Sequence, residues 1–137
     1  MWIPIQINEQ SAEPLYRQIE TQLKSLIVGG QIAEGTLLPS IREFAASLSC
    51  SVITVRRVYQ DLENEGLLRT KQGTGTFVAS VDADERDEYR RAAVEKAVEE
   101  AVDTGISVQY GEEAMKELFL RILRKKYSEA DGRGGAK

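Results

Sequence analysis

Residues 40–64 read SIREFAASLSCSVITVRRVYQDLEN, and this stretch holds the boundaries and the apolar faces of two consecutive helices. Ser40 followed by Glu43 forms a capping box, in which each side chain accepts a hydrogen bond from the backbone N–H of the other residue. Residues 49–51 interrupt the helical pattern, and Ser51 is placed to cap the second helix, which we expect to reach the end of the stretch. Two helices joined by a short turn predict a helix-turn-helix.

Both helices have apolar residues at spacings of three and four, so each has one face to bury. The buried residues predicted for the first helix are Ile41, Phe44, Ala45 and Leu48, and those for the second are Val55, Val58, Tyr59 and Leu62. An upstream helix is expected to begin with Pro14 at its first position and to end at Gly29 and Gly30. Before it, residues 3–7 predict a short edge strand.

Downstream of the pair, Gly66 ends the helix in a left-handed conformation and a hairpin follows. Residues 66–70 and 76–79 are strand-like, and five residues with two glycines join them. Three helices and a hairpin predict a winged helix-turn-helix in residues 1–80, within a mainly α fold. A phosphate-binding loop does not explain the glycines, because the chain has no Gly-Lys pair and Val78 stands where a dinucleotide fingerprint needs its third glycine. A tight reversal with positive φ explains them.

Residues 81–129 predict two further helices with too little core of their own. The first runs from about residue 86 to 103 and is expected to break at Gly105, and the second covers 111–127. The apolar residues that we expect to pair with a second copy of the chain are Ala93, Val94, Ala97, Val98, Ala101, Met115, Leu118, Phe119 and Ile122. The alternative is that these helices fold back on the winged domain. Residues 130–137 are small and charged, and we expect them to be disordered.

The composition excludes several classes of function. The 137 residues contain no histidine and a single cysteine, so histidine-dependent catalysis, a structural zinc site and an intrachain disulfide are all excluded. We predict no enzyme activity, no catalytic residue, no metal and no cofactor. No apolar run is long enough to cross a membrane and the N-terminus lacks the features of a signal peptide, so we expect a cytoplasmic protein. The net charge of −4 still permits a local cationic surface, because salt screens charges beyond about 8 Å.

The second helix of the pair is the candidate DNA reader, since such a helix enters the major groove by its N-terminal residues. Thr54 can bond a phosphate or a base edge, and Arg56 and Arg57 can bind guanine or phosphate. Of the two apolar residues that open this helix, we expect Ile53 to be partly packed and Val52 to contact a thymine methyl group. The full set of predicted DNA-binding residues is Arg42, Ser51, Val52, Thr54, Arg56, Arg57, Lys71, Gln72, Gly73 and Thr74. An exposed arginine is most often only solvated, so the argument depends on the coincidence of these residues around one helix-turn-helix and its hairpin.

Four motifs resemble the DNA-binding domain of GntR-family bacterial transcription regulators. They are PLYRQI at 14–19, LPSIREFA at 38–45, TVRRVYQDLENEGLL at 54–68 and QGTGTFV at 72–78, and the first is similar to the YtrA-like subgroup. The DNA contacts that the resemblance implies come from Arg42, Ser51, Thr54 and Arg56, and from the wing at Gln72, Gly73 and Thr74. The family often has Arg or a polar residue after the capping serine, where this chain has Val52, and this difference implies a different operator preference.

The length of the C-terminal part also fits this resemblance. The 57 residues beyond residue 80 (137 minus 80) are too few to enclose an ordinary metabolite pocket, and the resemblance implies that they are a two-helix dimerisation arm. We therefore predict a homodimeric transcription repressor that binds double-stranded DNA at an inverted repeat, with no membrane partner and no identified effector. The resemblance implies control of a transporter operon. The alternative is a winged helix used for protein–protein assembly without DNA.

Overall fold

The computed structural model describes residues 3–133, and in this range the chain forms five helices and one β-hairpin. In chain order the elements are α1 (Leu15–Val28), α2 (Ile41–Leu48), α3 (Val52–Asn64), β1 (Leu68–Lys71), β2 (Gly75–Val78), α4 (Ala83–Ser107) and α5 (Glu112–Arg133). They belong to two compact units, Met1–Arg90 and Arg91–Lys137, and the division falls within α4. The first unit is the predicted winged helix-turn-helix.

The core of the first unit is built from the apolar stripes of α1, α2 and α3. The predicted inner faces of α2 and α3 are confirmed, because their residues are buried or partly buried in this core. The largest side chains that are almost completely buried are Phe44, Ile19, Leu23, Leu62, Leu67, Val55 and Val58. Burying each such side chain stabilises the fold by about 1.5–3 kcal/mol before the loss of conformational entropy is counted. This core fixes which sides of α2 and α3 remain for a ligand.

The helix ends follow the predicted chemistry with one shift. The capping box is present, with the Glu43 N–H 3.1 Å from Ser40 Oγ and the Ser40 N–H 3.0 Å from Glu43 Oε1. Ser51 caps α3, and Gly66 follows that helix with φ of 82°. Pro14 lies one residue before α1 instead of in its first position, and its ψ of 150° is extended. A proline at that place still ends the preceding loop without removing a helical hydrogen bond.

Residues 3–7 do not form the predicted strand. Their backbone bonds with side-chain amides of α1: the Gln6 N–H donates to Gln22 Oε1 (2.8 Å), and Gln22 Nε2 donates to the Gln6 carbonyl (2.7 Å). Gln18 forms the same reciprocal pair with Asn8, at 2.8 and 3.1 Å. A glutamine amide has the same donor and acceptor as a peptide group, so it replaces the partner strand.

The hairpin has a third, shorter neighbour. β1 and β2 pair antiparallel with Leu68 opposite Val78. On the other side of β2, the Val78 N–H donates to the Thr36 carbonyl (2.9 Å) and the Leu38 N–H donates to the Thr76 carbonyl (2.8 Å). The segment that leads into α2 therefore anchors the wing to the helix-turn-helix.

The second unit differs from the prediction at two places. Gly105 does not break α4, which continues to Ser107, because the glycine packs against Met115 of α5: a Cβ at this position would lie 2.6 Å from Met115 Cε. Residues 130–133 continue α5 instead of being disordered, and residues 134–137 lie outside the described range. Within that range, no helix is both long enough and apolar enough to span a lipid bilayer.

Candidate nucleic-acid interface

The start of α3 is held by two hydroxyl groups. Ser51 Oγ accepts a hydrogen bond from the Thr54 N–H at 3.1 Å, and it lies 2.8 Å from Thr54 Oγ1. Before it, Ser49 adopts the left-handed conformation with φ of 54°, which turns the chain from α2 into α3. Ser51 and Thr54, both predicted DNA contacts, therefore hold each other in place at the end of the helix that would enter a groove.

The outer face of α3 presents a stripe formed by Ile53, Arg56 and Gln60, which we call the reading stripe. All three are exposed, and Arg56 forms no ion pair with any residue in the described part of the chain. Ile53 is 74% exposed, whereas Val52 is partly buried against the core. The expectation that Ile53 is partly packed is therefore wrong, whereas the contact of Val52 with a thymine methyl group stays a prediction. Val52 packs against the core, and position 53 is one helical step of 100° further around the helix.

Arg57, predicted to bind DNA, already has two partners within the protein. Its guanidinium lies 3.6 Å from the centroid of the Tyr16 ring on α1, and its Nε is 3.9 Å from Asp61 Oδ2. Stacking on an aromatic ring and pairing with a carboxylate hold an arginine on its own helix flank. Arg57 is thus placed beside the reading stripe, with a contact to α1 that the sequence interpretation missed.

Tyr59 connects α3 both to α2 and to the residue that precedes the cap of α2. Its hydroxyl donates to the Pro39 carbonyl at 2.7 Å, and its ring centroid lies 6.0 Å from that of Phe44. Burial, and then the nearby charge of Glu43, raises the pKa of this phenol, so it remains a donor. Arg42 lies exposed in the first turn of α2, without an ion-pair partner among the residues described. A rigid helix pair thus presents two cations, Arg42 and Arg56, from two helices.

The wing presents four predicted contact residues at its tip. Lys71, Gln72, Gly73 and Thr74 are all exposed, and the Thr74 N–H donates to the Lys71 carbonyl at 3.0 Å to close the turn. Gly73 has φ of 81°, a conformation that costs a residue with a side chain about 1–2 kcal/mol. The turn thus projects one cation and two polar side chains away from the core.

The base of the wing is joined to α3 by Glu63, a contact that sequence reasoning missed. Glu63 Oε1 accepts from Thr70 Oγ1 at 3.2 Å, and Thr70 Oγ1 lies 3.2 Å from Thr76 Oγ1 across the hairpin. The spacing of seven residues between Glu63 and Thr70 crosses a helix end and a strand, so no local pattern predicts it. This network sets where the wing lies relative to the reading stripe.

An acidic pair lies on the other side of α3, against α1. Glu20 on α1 is partly buried, and its Oε1 atom is buried without a hydrogen-bond partner among the described residues. Burial is the main reason that the pKa of Glu20 rises to about 7, and a hydrogen bond to the Asp61 carboxyl, together with the negative charges of Asp61 and Glu65, adds to the effect. Arg17 opposes it. Glu20 therefore holds its proton to a much higher pH than an ordinary glutamate does.

The first turns of α4 are fastened to the winged unit. The Tyr89 hydroxyl donates to the Glu65 carbonyl at the end of α3 (2.7 Å), and Lys24 Nζ pairs with the Glu65 carboxylate and lies 5.1 Å from the Tyr89 ring centroid. The Arg90 guanidinium donates to the Val28 carbonyl at 3.1 Å. The compact unit, which ends at Arg90, thus extends beyond the predicted boundary at residue 80.

The second unit has an open apolar cleft between α4 and α5, with a volume of about 560 Å³. Of the residues predicted to dimerise, Val98, Ala101, Met115 and Phe119 line this cleft, and Leu118 and Ile122 line an adjoining hollow. The remaining three, Ala93, Val94 and Ala97, are exposed on α4 and line neither. Gly105 is the one buried residue of α4, so most apolar side chains of this unit face outward.

The described residues give little support for a metal-binding site or a reactive thiol. No three His, Cys, Asp or Glu side chains of that range are grouped so that they could hold a metal ion. Cys50 is partly buried between α2 and α3, and burial raises the pKa of its thiol, which disfavours the reactive thiolate.

Comparison with known proteins supports this arrangement. The family model of bacterial regulatory proteins of the gntR family matches residues 15–78. The HTH-type transcriptional repressor YtrA of Bacillus subtilis is 40% identical over 75 residues, which are 55% of this chain and 58% of YtrA. The match thus spans little more than half the length of that relative. The uncharacterized HTH-type transcriptional regulator YhcF of the same organism is 30% identical over 110 residues, 78% of this chain and 91% of YhcF.

Solved structures agree. YtrA from Sulfolobus acidocaldarius, a GntR-family transcription factor, is 32% identical with a TM-score of 0.55, and the match covers 69% of this chain and 96% of that one. The DNA-binding domain of AraR in complex with operator ORX1 is 30% identical with a TM-score of 0.50, covering 56% of this chain and 96% of that domain. The chain therefore belongs to the GntR family of bacterial regulatory proteins, and the match to the family model lies within its winged helix-turn-helix.

Proposed function

We propose that this protein is a homodimeric repressor that binds an inverted-repeat operator in the cytoplasm, with the reading stripe of α3 in the major groove. The observation that carries the proposal is the separation of roles on α3. One side of the helix is buried and one flank is occupied by contacts to α1, whereas the reading stripe is exposed and has at its centre an arginine without an ion pair among the described residues. In a helix-turn-helix, the exposed N-terminal part of this helix faces the bases.

The local charge supports DNA as the ligand despite the net charge of −4. Arg42, Arg56 and Lys71 come from α2, α3 and the wing, and none of them is neutralised by a carboxylate in the described part of the chain. Three separate elements thus direct free cations outward from one unit. Phosphate contacts of this kind provide most of the sequence-independent affinity for DNA.

The second unit supports pairing with another copy. Val94, Phe119 and Ile122 are 62%, 49% and 44% exposed, so an apolar surface remains in contact with water in a single chain. Soluble monomers rarely leave a continuous apolar surface of this kind uncovered, and identical copies cover it symmetrically. A two-fold dimer would place two α3 helices about 34 Å apart, which is one turn of DNA, so the operator should be an inverted repeat.

DNA binding is tested by selecting bound sequences from a random pool of duplexes, followed by affinity measurement on the selected site. We expect an inverted repeat to be enriched. Arg56→Ala should weaken binding by about 1–3 kcal/mol per half-site while leaving the melting temperature unchanged. Arg121→Ala, which removes an exposed arginine from α5, is the matched control. Unchanged affinity in Arg56→Ala, or no enrichment of any sequence, would favour the alternative of a winged helix that binds another protein.

The salt dependence gives an independent measure of the phosphate contacts. Two or three free cations per chain make about four to six contacts per dimer, so log Kobs should fall with log salt concentration at a slope between about −4 and −5. A slope near zero would contradict binding through these side chains.

Dimerisation is tested by sedimentation equilibrium. Phe119→Glu should shift the protein toward monomer, because a carboxylate cannot be buried in an apolar interface without a partner. Lys125→Gln makes the same change in net charge at an exposed position and should leave the dimer intact. If wild type sediments as a monomer at concentrations where it binds the operator, the dimer proposal fails.

The regulated genes belong to the proposal as well. We propose that they encode a transporter, as the resemblance to the YtrA-like subgroup implies. Mapping of bound chromosomal sites, with transcript levels compared in the presence and absence of the protein, tests this directly. Repression predicts higher transcript levels of the bound operon when the protein is removed.

A further inference from the structure

The most exposed large apolar side chain in the described residues is Ile53, the second residue of α3. It is 74% exposed, and both neighbours on the inner side, Val52 and Val55, pack into the core. An isolated exposed isoleucine is ordinary on a protein surface. Ile53 differs from an ordinary surface isoleucine by its location, because it lies in the first turn of the helix that faces the bases under the proposed function. The other exposed residues of that face, Arg56 and Gln60, are polar.

The chemistry of an isoleucine restricts what it can recognise in a DNA groove. It has no hydrogen-bond donor or acceptor, so it can neither bind a phosphate nor read the polar edge of a base. The one apolar group on the major-groove edges of the four base pairs is the C5-methyl group of thymine. A side chain at position 53 that points outward can reach such a methyl group, whereas Val52 is held against the core.

We infer that Ile53 contacts a thymine methyl group in each half-site and thereby selects thymine at that position of the operator. This inference rests on the proposed function, because it requires α3 to lie in the major groove. It replaces Val52 with Ile53 as the residue that reads thymine. Burial of one methyl group is worth about a factor of four in affinity per half-site, or roughly fifteen for the two half-sites of an inverted repeat.

The test removes the methyl group from the DNA without changing any base pair. In the selected operator, each thymine is replaced in turn, in both half-sites, by deoxyuridine, and Kd is measured by fluorescence anisotropy. We expect one thymine position at which the replacement weakens wild-type binding roughly fifteenfold. Ile53→Ala should bind the unmodified operator more weakly than wild type by a similar factor. Its Kd should be the same for the unmodified operator and for the operator with deoxyuridine at that position. Leu120→Ala, which truncates an exposed leucine of α5, should respond to deoxyuridine as wild type does.

The outcomes separate this inference from the proposed function. If the protein selects no DNA sequence at all, the proposed function is wrong and the inference fails with it. If the operator is bound but every deoxyuridine replacement changes Kd by less than about twofold, α3 reads DNA without this contact and only the inference is overturned. It is also overturned if Ile53→Ala retains the full sensitivity to deoxyuridine at the critical position. Equal thermal stability of Ile53→Ala and wild type shows that the fold is intact.

Discussion

Replacing Glu20 by glutamine should stabilise the protein above neutral pH. The Glu20 carboxyl is partly buried against α3 beside Asp61, and its pKa in the folded protein is about 7, compared with about 4.5 in an unfolded chain. Between these two values the folded state binds a proton that the unfolded state has released. The free energy of unfolding therefore falls as the pH rises from about 4.5 to 7, and the full cost of the charged pair is present above pH 7.

The magnitude follows from the two pKa values. Their whole difference corresponds to about 3 kcal/mol, and partial exposure of the carboxyl to solvent reduces this to about 1–2 kcal/mol. Glu20→Gln removes the ionisation and keeps a donor for the Asp61 carboxylate. At pH 8 the variant should exceed wild type in stability by about 1–2 kcal/mol, or roughly 5–10 °C in melting temperature for a unit of this size. The advantage should disappear near pH 4.5, where the unfolded chain also holds the proton.

The assay is thermal and urea denaturation followed by circular dichroism at about pH 5 and pH 8, at one fixed protein concentration. Glu117→Gln, at an exposed position of α5, is the control and should show no difference between the two pH values. The reasoning is refuted if Glu20→Gln changes stability by the same amount at both pH values, or if it destabilises the protein at the higher one. A side-chain NMR titration that places the pKa of Glu20 near 4.5 would refute it as well.

Three further perturbations test other contacts. Arg57→Ala should lower the free energy of unfolding by about 0.5–1 kcal/mol, because the contact with the Tyr16 ring is lost. It should weaken operator binding less than Arg56→Ala does. A larger loss of operator affinity in Arg57→Ala would mean that Arg57 contacts the DNA. Gly105→Leu should destabilise the helix pair of the second unit by about 1–3 kcal/mol, because the Met115 side chain occupies the space that the leucine needs. An unchanged melting curve would contradict the close contact between Gly105 and Met115. Tyr59→Phe should cost about 0.5–1.5 kcal/mol in urea denaturation, because the Pro39 carbonyl loses its donor, and no loss would mean that water replaces the hydroxyl.

The parts of the fold that the sequence predicted are those decided by neighbours within one helical turn. The capping box of Ser40 and Glu43 and the cap at Ser51 connect residues three apart, and the inner stripe of α3 repeats at three and four. Gly66 and Gly73 have positive φ, as expected for glycines at a helix end and in a tight turn. Because each of these features depends on local geometry, the helix-turn-helix and the wing could be predicted from the sequence.

The parts that differed depend on contacts between distant residues. Residues 3–7 have a strand-like pattern, but the backbone of this segment and of Asn8 bonds with glutamine side chains on α1, sixteen and ten residues away. Gly105 is of the type that often ends a helix, yet α4 continues through it to Ser107, and the glycine lies against the Met115 side chain of α5, a contact that its own helix does not reveal. Whether Val52 or Ile53 faces outward depends on which side of the first turn of α3 packs against the core. None of these can be derived from spacing alone.

The candidate site also combines features set within one helix with contacts between distant residues. For the proposed function, this affects how operator preference could change. Three contacts from different directions position α3: Arg57 on the Tyr16 ring of α1, Tyr59 on the carbonyl that precedes α2, and Glu63 on Thr70 of β1. None of these three residues belongs to the reading stripe. A substitution in the stripe therefore alters the exposed groups of α3 and keeps all three contacts, whereas a substitution of one of these three residues removes a contact that positions the helix. Under the proposed function, operator preference and fold stability thus depend on separate residues of one helix of 13 residues.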